Sequence, residues 1–322
     1  MKSKYWVGAA IAAAVSLVVL VSATTQTMAE QVVLRIAFLR GSEPMSIARL
    51  NGNLEKRLAK LGVKVEWVGP FAAYAPAAEG LNAGAIDMST GSSTSALSSF
   101  GGASTLALFA YQWDAGDSSG ILVKKNSPIK TLADLAGHSV AVNRGGSGDY
   151  NLAKALETTG VASDQVKRAY LSPTDSAAAF TQDHVDAWSS WGMYFPIALA
   201  LYDARVVSLA RDFHSENAVV YVVRLAFAQA HPEIIGPVLE ELQASAKWAR
   251  EHRAEAAKLW EGELKLNPAV AQLLASYEMP DPVPLGDRET TALNHLNDWM
   301  VAQKILPEPI PIDRHIWRTP TQ

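Results

Sequence analysis

The sequence predicts an α/β protein in which two sheets face one ligand across a cleft. Apolar strands alternate with helical segments along the chain of 322 residues. Two of the strands run into loops rich in glycine and serine that open helices, at residues 84–96 and 139–150. A polar connector at residues 114–119 lies between them. Ligands of open α/β sheets bind outside the carboxyl ends of the strands, so two such loops indicate one site shared by two sheets.

The segment before the connector begins with the predicted order βαβαβ and contains one further predicted strand. Its first strand is rich in β-forming residues, and Leu54, Leu58 and Leu61 then recur at helical spacing. Gly62 ends that helix, and the residues after it alternate as a half-buried strand. The predicted strands are 33–38, 63–67, 86–89 and 106–110, and the predicted helices are 54–61 and 76–82.

The segment after the connector is predicted as a second strand–helix series followed mostly by helix. Thr131 and Asp134 are spaced as a capping box, and Ser172 followed by Pro173 marks another helix start. The predicted strands are 121–123, 139–142, 185–188, 204–209 and 218–227. Further helices are predicted at 151–158, 232–260 and 290–303, with a loop at 280–284.

The first glycine and serine loop predicts a seat for an anion. Gly91 is expected to free the backbone at a turn, and Ser92 to Ser95 offer hydroxyl groups where a helix begins. Helix starts have unpaired N–H groups and a partial positive charge, which favour an anion. An ordinary helix cap is the alternative, since serine and threonine are the usual capping residues. The second loop, Asn143 to Ser147, repeats the pattern and favours the anion seat.

The composition excludes several classes of function. The formal net charge is −4 and no run of Lys and Arg exceeds two residues, so a basic footprint for nucleic acid is absent. The chain has no cysteine, which excludes disulfides, thiolate metal sites and a cysteine nucleophile. A Walker loop, a dinucleotide glycine fingerprint and a His-Glu-x-x-His motif are also missing from the sequence. We therefore expect no nucleic-acid partner, no cofactor and no metal.

Residues 1–29 are predicted to be a signal peptide. Lys2 and Lys4 precede an apolar stretch from Val7 to Ala23, which at about 17 residues is shorter than the roughly 20 needed to span a bilayer. Thr27-Met28-Ala29 is a suitable cleavage site. An uncleaved anchor is the alternative. Because no cysteine follows the apolar stretch, a lipid-anchored form is excluded, and we expect an exported, periplasmic protein.

One motif favours an enzyme instead. Residues 116–120 spell Gly-x-Ser-x-Gly, the pattern of a nucleophile elbow, with Ser118 at its centre. Such an elbow needs a strand before the serine and a helix directly after it, whereas here a predicted strand follows. A hydrolase that uses Ser118 is therefore the less favoured alternative, and we expect no catalytic residues.

Short segments along nearly all of the mature chain resemble one family of exported receptors. They are Asn53–Leu58, Gly80–Asp87, Thr90-Gly91, Asn126–Lys130, Asp134–Gly137, Val185–Trp188 and Arg314–Trp317. In these segments the chain resembles the periplasmic binding proteins of ABC importers, in the aliphatic sulfonate, taurine and nitrate group. The resemblance implies a monomer of the type II fold, with two α/β lobes that close on the ligand by hinge motion and deliver it to a membrane permease. It implies lobe 1 at residues 30–115 and 216–322, and lobe 2 at 116–215.

Two departures from the family pattern bear on the ligand. Ser92 and Gly192 stand where relatives carry acids. A sulfonate is fully ionised and only accepts hydrogen bonds, so a carboxylate beside it would be unfavourable. We therefore expect a small organic anion with an apolar tail, an alkyl or aryl sulfonate or a sulfate ester. Taurine, nitrate or a carboxylate is the alternative ligand, and a sensing module is the alternative to a transport receptor.

The candidate ligand-binding residues are polar groups at strand ends and aromatic residues near them. For Arg144, the alternative to a ligand contact is a charged loop residue that faces solvent. For Trp188, the alternative is a place in the hydrophobic core. The candidates are Arg40, Gly41, Ser42, Gly91, Ser92, Ser93, Thr94, Gln112, Trp113, Arg144, Gly145, Gly146, Ser147, Trp188, Trp191 and Tyr194.

Overall fold

The protein's structure, a computed structural model, describes residues 31–100 and 105–318. The predicted signal peptide at residues 1–29 lies outside the described residues. Within the described ranges, every helix is too short or too polar to cross a bilayer.

The described chain forms two mixed five-stranded sheets. The first sheet contains β1 (Val33–Leu39), β2 (Lys64–Phe71), β3 (Met88–Ser92), β4 (Leu106–Trp113) and β10 (Ala218–Arg224), and the second contains β5 (Ser119–Lys124), β6 (Ser139–Val142), β7 (Lys167–Tyr170), β8 (Ala187–Trp191) and β9 (Ala204–Leu209). The strand orders are β2-β1-β3-β10-β4 and β7-β6-β8-β5-β9. In each sheet, three parallel strands meet an antiparallel pair, so the α/β class predicted from the sequence is confirmed.

Helices cover the sheets and follow the parallel strands. They are α1 (Pro44–Leu50), α2 (Asn53–Ala59), α3 (Tyr74–Asn82), α4 (Ser93–Ser99), α5 (Ser147–Glu157), α6 (Pro173–Thr181), α7 (Tyr194–Leu201), α8 (Leu225–Ala230), α9 (Pro232–Glu251), α10 (Arg253–Leu264), α11 (Pro268–Ser276) and α12 (Asp287–Ala302). The caps predicted at Thr131 and Ser172 are confirmed: Thr131 belongs to a capping box, and the Ser172 hydroxyl accepts the N–H of Asp175.

Both faces of the first sheet are buried. Along β10, Val220 and Val222 pack into one apolar cluster, whereas Tyr221 and Val223 pack into the cluster on the opposite face. This alternation follows from the two-residue period of a strand. A further cluster joins α10 and α11 to α7, and Ile47 of α1 packs into it. Helices α10 and α11 therefore pack against α1, which follows a strand of the first sheet, and against α7, which follows a strand of the second sheet.

The chain crosses between the sheets twice. The first crossing is residues 114–118, between β4 and β5, and the second is residues 210–217, between β9 and β10. The lobe boundaries expected from the sequence, at 115/116 and 215/216, fall within these crossings and stay a prediction.

The two loops differ from their predicted backbone. Gly91 is not in a turn: it lies in β3 and pairs with Val220. A side chain is excluded there because a Cβ would lie 2.6 Å from the ring of Tyr74. Helix α5 begins at Ser147, four residues earlier than predicted, because the glycine loop is shorter than the sequence indicated.

Candidate ligand-binding site

A cavity of about 240 Å³ lies where the carboxyl ends of strands from both sheets meet. The first sheet contributes the loop after β1 and the ends of β3 and β4, and the second contributes the start of α5 and the end of β8. The lining residues are Leu39, Arg40, Gly41, Ser42, Glu43, Thr90, Gly91, Ser92, Gln112, Trp113, Asp114, Ala115, Ser118, Ser147, Trp191, Gly192, Met193, Tyr194, Asn217, Ala218, Val219, Glu278, Met279 and Pro280.

Most of the candidates from the sequence line this cavity, and six do not. Those that line it are Arg40, Gly41, Ser42, Gly91, Ser92, Gln112, Trp113, Ser147, Trp191 and Tyr194. Those that do not are Ser93, Thr94, Arg144, Gly145, Gly146 and Trp188. The carboxyl-end rule thus leads to loops that line this cavity, whereas the direction of each side chain depends on tertiary contacts that the sequence does not display.

The end of β3 provides one free hydroxyl and one that caps a helix. The Ser92 hydroxyl accepts the N–H of Ser95 at 3.2 Å and donates to the Ser95 hydroxyl at 2.9 Å, so the N-cap interpretation is correct for this residue. Two residues earlier, Thr90 lines the cavity and is 2% exposed. Its hydroxyl has no hydrogen-bond partner in the described structure. A buried hydroxyl without a partner is costly, so Thr90 is a donor in need of an acceptor.

Asn217 links the loops of the two sheets. Its side-chain carbonyl accepts from the hydroxyls of Ser93 at 3.2 Å and Thr94 at 3.4 Å, and its amide donates to the Ser147 hydroxyl at 2.9 Å. Ser93 and Thr94 therefore act behind the cavity wall rather than in it. The proton of the Ser147 hydroxyl has no acceptor among the described residues, so it remains available inside the cavity.

The remainder of the second loop turns away from the cavity. Arg144 and Gly145 line a different cavity, where the Arg144 guanidinium stacks 3.8 Å from the ring centre of Tyr170. Gly145 has a φ of +64° and donates its N–H to Asp149. Gly146 is the N-cap residue of α5. Arg144, Gly145 and Gly146 therefore lie outside the cavity that Ser147 lines, and their part in binding an anion stays a prediction.

The aromatic candidates divide between the cavity and the core. Trp188 is fully buried and packs against Phe180 in the core of the second sheet, so its core interpretation is correct. Trp191 and Tyr194 line the cavity, as does Trp113. The Trp113 indole N–H donates to Glu289 at 2.9 Å, and the Arg288 guanidinium lies 4.0 Å from the centre of its ring, so only the remaining surface of the ring is open to an apolar ligand group.

Two polar candidates are already occupied by the protein. The Arg40 guanidinium donates to the carbonyl of Leu264, the last residue of α10, at 3.2 Å. The Gln112 amide donates to the carbonyl of Pro280 at 2.7 Å and accepts from the Tyr221 hydroxyl at 3.1 Å. Both side chains therefore support the wall of the cavity through one N–H each, and the five-donor guanidinium of Arg40 keeps further N–H groups beyond the one that binds Leu264.

The expectation of a site without carboxylates is wrong. Glu43, Asp114 and Glu278 all line the cavity. Burial raises the pKa of Glu43 to about 7 and also raises the pKa of Asp114. Glu278 pairs with Arg253 at 3.3 Å. These three acids lie at positions other than 92 and 192, in loops at residues 43, 114 and 278.

Glu43 could have been found from the sequence, whereas Asn217 could not. Glu43 follows Ser42 directly after the first strand, in a loop that the carboxyl-end rule already selects. Asn217 precedes a strand and reaches the site only because β10 returns to the first sheet. Met193, Met279 and Pro280 were also missed, and the last two arrive from the segment between α11 and α12.

The geometry offers little support for hydrolysis. Ser118 lines the cavity, but strand β5 begins at Ser119, opposite to the order that a nucleophile elbow requires. No histidine lines the described cavity. The described residues also contain no group of three His, Cys, Asp or Glu side chains placed to hold a metal ion.

Two α/β sheets joined by two crossings, with a cavity between them, define the fold of periplasmic binding proteins. The crystal structure of the periplasmic aliphatic sulphonate binding protein SsuA from Escherichia coli superimposes with a TM-score of 0.83 at 29% identity, over 90% of this chain and 93% of that one. The alkanesulfonate-binding protein SsuA from Xanthomonas axonopodis pv. citri bound to MOPS gives 0.83 at 25%, over 90% and 99%.

Sequence similarity identifies the family. The pattern of the NMT1/THI5 like family matches residues 58–256. An Escherichia coli (strain K12) protein described as an aliphatic sulfonates-binding protein is 31% identical over 291 residues, 90% of this chain and 89% of that protein. This chain therefore belongs to the NMT1/THI5-like family, and the resemblance stated from the sequence is confirmed.

Proposed function

We propose that this protein is a periplasmic solute receptor that binds an alkyl or aryl sulfonate or a sulfate ester. One observation carries the proposal: hydroxyl groups from both sheets, those of Thr90 and Ser147, meet in one cavity with protons that no described residue accepts. A sulfonate supplies only acceptors, and its charge strengthens each hydrogen bond that it receives. The relatives named as sulfonate-binding proteins support the same class of ligand.

The cavity has further donors for the head group and an apolar wall for a tail. The backbone N–H groups of Gly41 and Ser42 make no hydrogen bond within the described residues, and both residues line the cavity. Trp113, Trp191 and Met193 provide apolar surface, as ligand pockets usually do. The sulfonate oxygens would therefore bind near the loops, and the organic tail would lie against the aromatic and methionine side chains.

Capture follows from the position of the cavity between the sheets. The ligand would bridge donors of both sheets, so binding would favour the closed arrangement of two lobes at residues 30–115 with 216–322 and at 116–215. The closed form would deliver the ligand to a membrane permease of an ABC importer. Export by a signal peptide at residues 1–29, a periplasmic location, a monomeric state and the absence of nucleic-acid partners belong to the same proposal.

The protein is proposed to be non-catalytic, with no cofactor. The hydrolase alternative would need a base within hydrogen-bonding distance of Ser118, and the described structure gives the Ser118 hydroxyl no hydrogen bond. Receptors for taurine, nitrate or a carboxylate remain the alternative within the same fold.

The test removes the free hydroxyl of Thr90. Thr90→Val keeps the shape of the side chain, so butanesulfonate binding measured by calorimetry should weaken by about 1.5–3 kcal/mol while the fold is retained. Ser190→Ala is the matched control, because that hydroxyl is equally buried and unpaired but does not line the cavity. Unchanged affinity in Thr90→Val, with normal binding in the control, would show that the anion does not bind at the Thr90 hydroxyl.

A further inference from the structure

Glu43 places an unpaired carboxyl group inside the cavity. It follows Ser42 in the loop after β1, and Pro44 begins α1 directly behind it. The side chain is half-buried and folds over Gly41, where a Cβ would overlap its Oε2 atom. No other described residue donates a hydrogen bond to this carboxyl. The group therefore faces the same space in which the ligand would bind.

The charged and titratable groups around Glu43 are committed elsewhere. On its own loop, Arg40 donates to the carbonyl of Leu264, and on α1, Arg49 pairs with Glu263. Arg49 still exerts a favourable charge interaction on Glu43, although burial outweighs it. A guanidinium stays charged at every pH of interest, so neither arginine titrates with the ligand.

The remaining faces also lack a partner for the carboxyl. On β10, the Tyr221 hydroxyl donates to Gln112, and burial holds its pKa well above the ordinary value. After β4, Asp114 accepts from the N–H of Gly116 at 2.8 Å and from the Ser119 hydroxyl at 3.4 Å. Glu278 is paired with Arg253. Among the carboxyl groups of this cavity, Glu43 is thus the one that accepts no hydrogen bond from another described residue.

We propose that Glu43 takes up a proton from solvent when an anionic ligand binds, so that the cavity presents a neutral carboxyl to the sulfonate. The inference rests on the proposed function. A sulfonate carries its charge at all pH values. Only the carboxyl of Glu43, and not the ligand, can therefore be neutralised by a proton. Repulsion between the sulfonate and an ionised Glu43 then appears as weaker binding at alkaline pH, and Glu43 determines the pH range over which the receptor is loaded.

Burial places the two forms of Glu43 in balance near neutrality. The pKa of Glu43 is raised to about 7, so about half of the unliganded protein carries a neutral carboxyl at pH 7. If only that form binds the sulfonate, the apparent affinity scales with its population. Binding should then take up about half a proton per ligand at pH 7, and affinity should be about 30-fold lower at pH 8.5 than at pH 5.5.

The experiment measures proton linkage directly. Butanesulfonate is titrated into the mature protein by calorimetry at pH 7 in two buffers with different ionisation enthalpies, and again between pH 5.5 and 8.5. The expected result is proton uptake and falling affinity with rising pH. Proton release would overturn the proposal, since it would mean that a group of the protein loses a proton when the anion binds.

Two variants separate this proposal from the proposed function. Glu43→Gln carries a permanently neutral side chain, so it should bind at pH 8.5 as tightly as at pH 5.5, with no proton uptake. Glu66→Gln is the matched control on β2, where Glu66 is exposed and paired with Lys64, and it should keep the pH dependence. Binding that is independent of pH in the unmodified protein overturns the role of Glu43 and leaves the sulfonate receptor intact. If the protein binds no sulfonate at any pH, both the proposed function and the proposed role of Glu43 are wrong.

Discussion

The two glycine and serine loops look alike in sequence and do different work in the structure. The first, at the end of β3, points Thr90 into the cavity and uses Ser92 to cap α4. The second turns outward at Arg144 and Gly145, stacks its guanidinium on Tyr170, and returns only Ser147 to the cavity. A repeated sequence pattern therefore marks two strand-to-helix junctions, whereas the loop backbone and the side chains that line the cavity differ between them.

Asn217 connects the two loops, and replacing it should give the largest loss of stability among the proposed variants. Asn217→Ala removes the acceptor of Ser93 and Thr94 and the donor to Ser147, so three hydrogen bonds are lost at once and the buried Ser147 hydroxyl loses its described partner. We expect a loss of about 3 kcal/mol in the free energy of unfolding, measured by urea denaturation. Asn151→Ala, which removes one hydrogen bond to Ser215, should cost less. Equal losses of stability in both variants would mean that the link between the two loops adds no more than a single hydrogen bond does.

The difference within the second loop is sharpened by a pair of variants. Ser147→Ala removes the hydroxyl that faces the cavity, so sulfonate affinity should fall by about 1.5–3 kcal/mol. Arg144→Ala removes a charge that lies in the other cavity, so affinity measured by the same calorimetric titration should stay within about 0.5 kcal/mol. A large loss of affinity in Arg144→Ala would show that the guanidinium contacts the bound anion.

The carboxyl beside the first loop gives a pH-dependent stability effect. The pKa of Glu43 is raised to about 7, so the folded protein binds more protons than the unfolded chain between about pH 4.5 and 7, and stability falls as pH rises through that window. With partial solvent screening, Glu43→Gln should raise the free energy of unfolding by about 1–2 kcal/mol at pH 8. The gain should vanish at pH 4.5. A gain of the same size at both values would point to packing instead of charge.

The smallest expected effect concerns the cap of α4. Ser92→Ala should cost about 1 kcal/mol of stability, because it removes the acceptor of the Ser95 N–H. Ser172→Ala at α6 is the matched comparison, since that hydroxyl accepts from Asp175 in the same way. Thermal melting should shift similarly in both. Sulfonate affinity lost in Ser92→Ala alone, beyond the change in stability, would show that Ser92 also contacts the ligand.

Local signals in the sequence predicted most of the elements, and contacts distant in sequence decided the rest. The strand at 204–209 and the helix start at Ser172 were predicted correctly, because alternation and capping are local. Helices α1, α7, α8 and α11 and strand β7 were not predicted, and α7 is apolar through most of its length, so it lacks a polar face that would mark it as a helix. One long helix was predicted where α9 and α10 meet at His252.

The candidate site was predicted at the level of loops and only partly at the level of side chains. Strand ends located the cavity correctly for residues such as Ser42 and Trp191. Asn217 lies 70 positions from Ser147, and no periodicity in a single sequence connects them. Its hydrogen bonds form only because the chain crosses back to the first sheet, which is a property of the topology rather than of any local pattern.

The Asn217 side chain orders hydroxyl groups at the site before a ligand arrives. In the described structure it already holds the Ser147 hydroxyl oxygen and, through its carbonyl, the hydroxyls of Ser93 and Thr94. An arriving anion does not meet an empty surface but a preassembled network, in which the donors are held in place before they are needed. The ordering of those side chains is then a cost of folding rather than of binding, which leaves more of each hydrogen bond to appear as affinity.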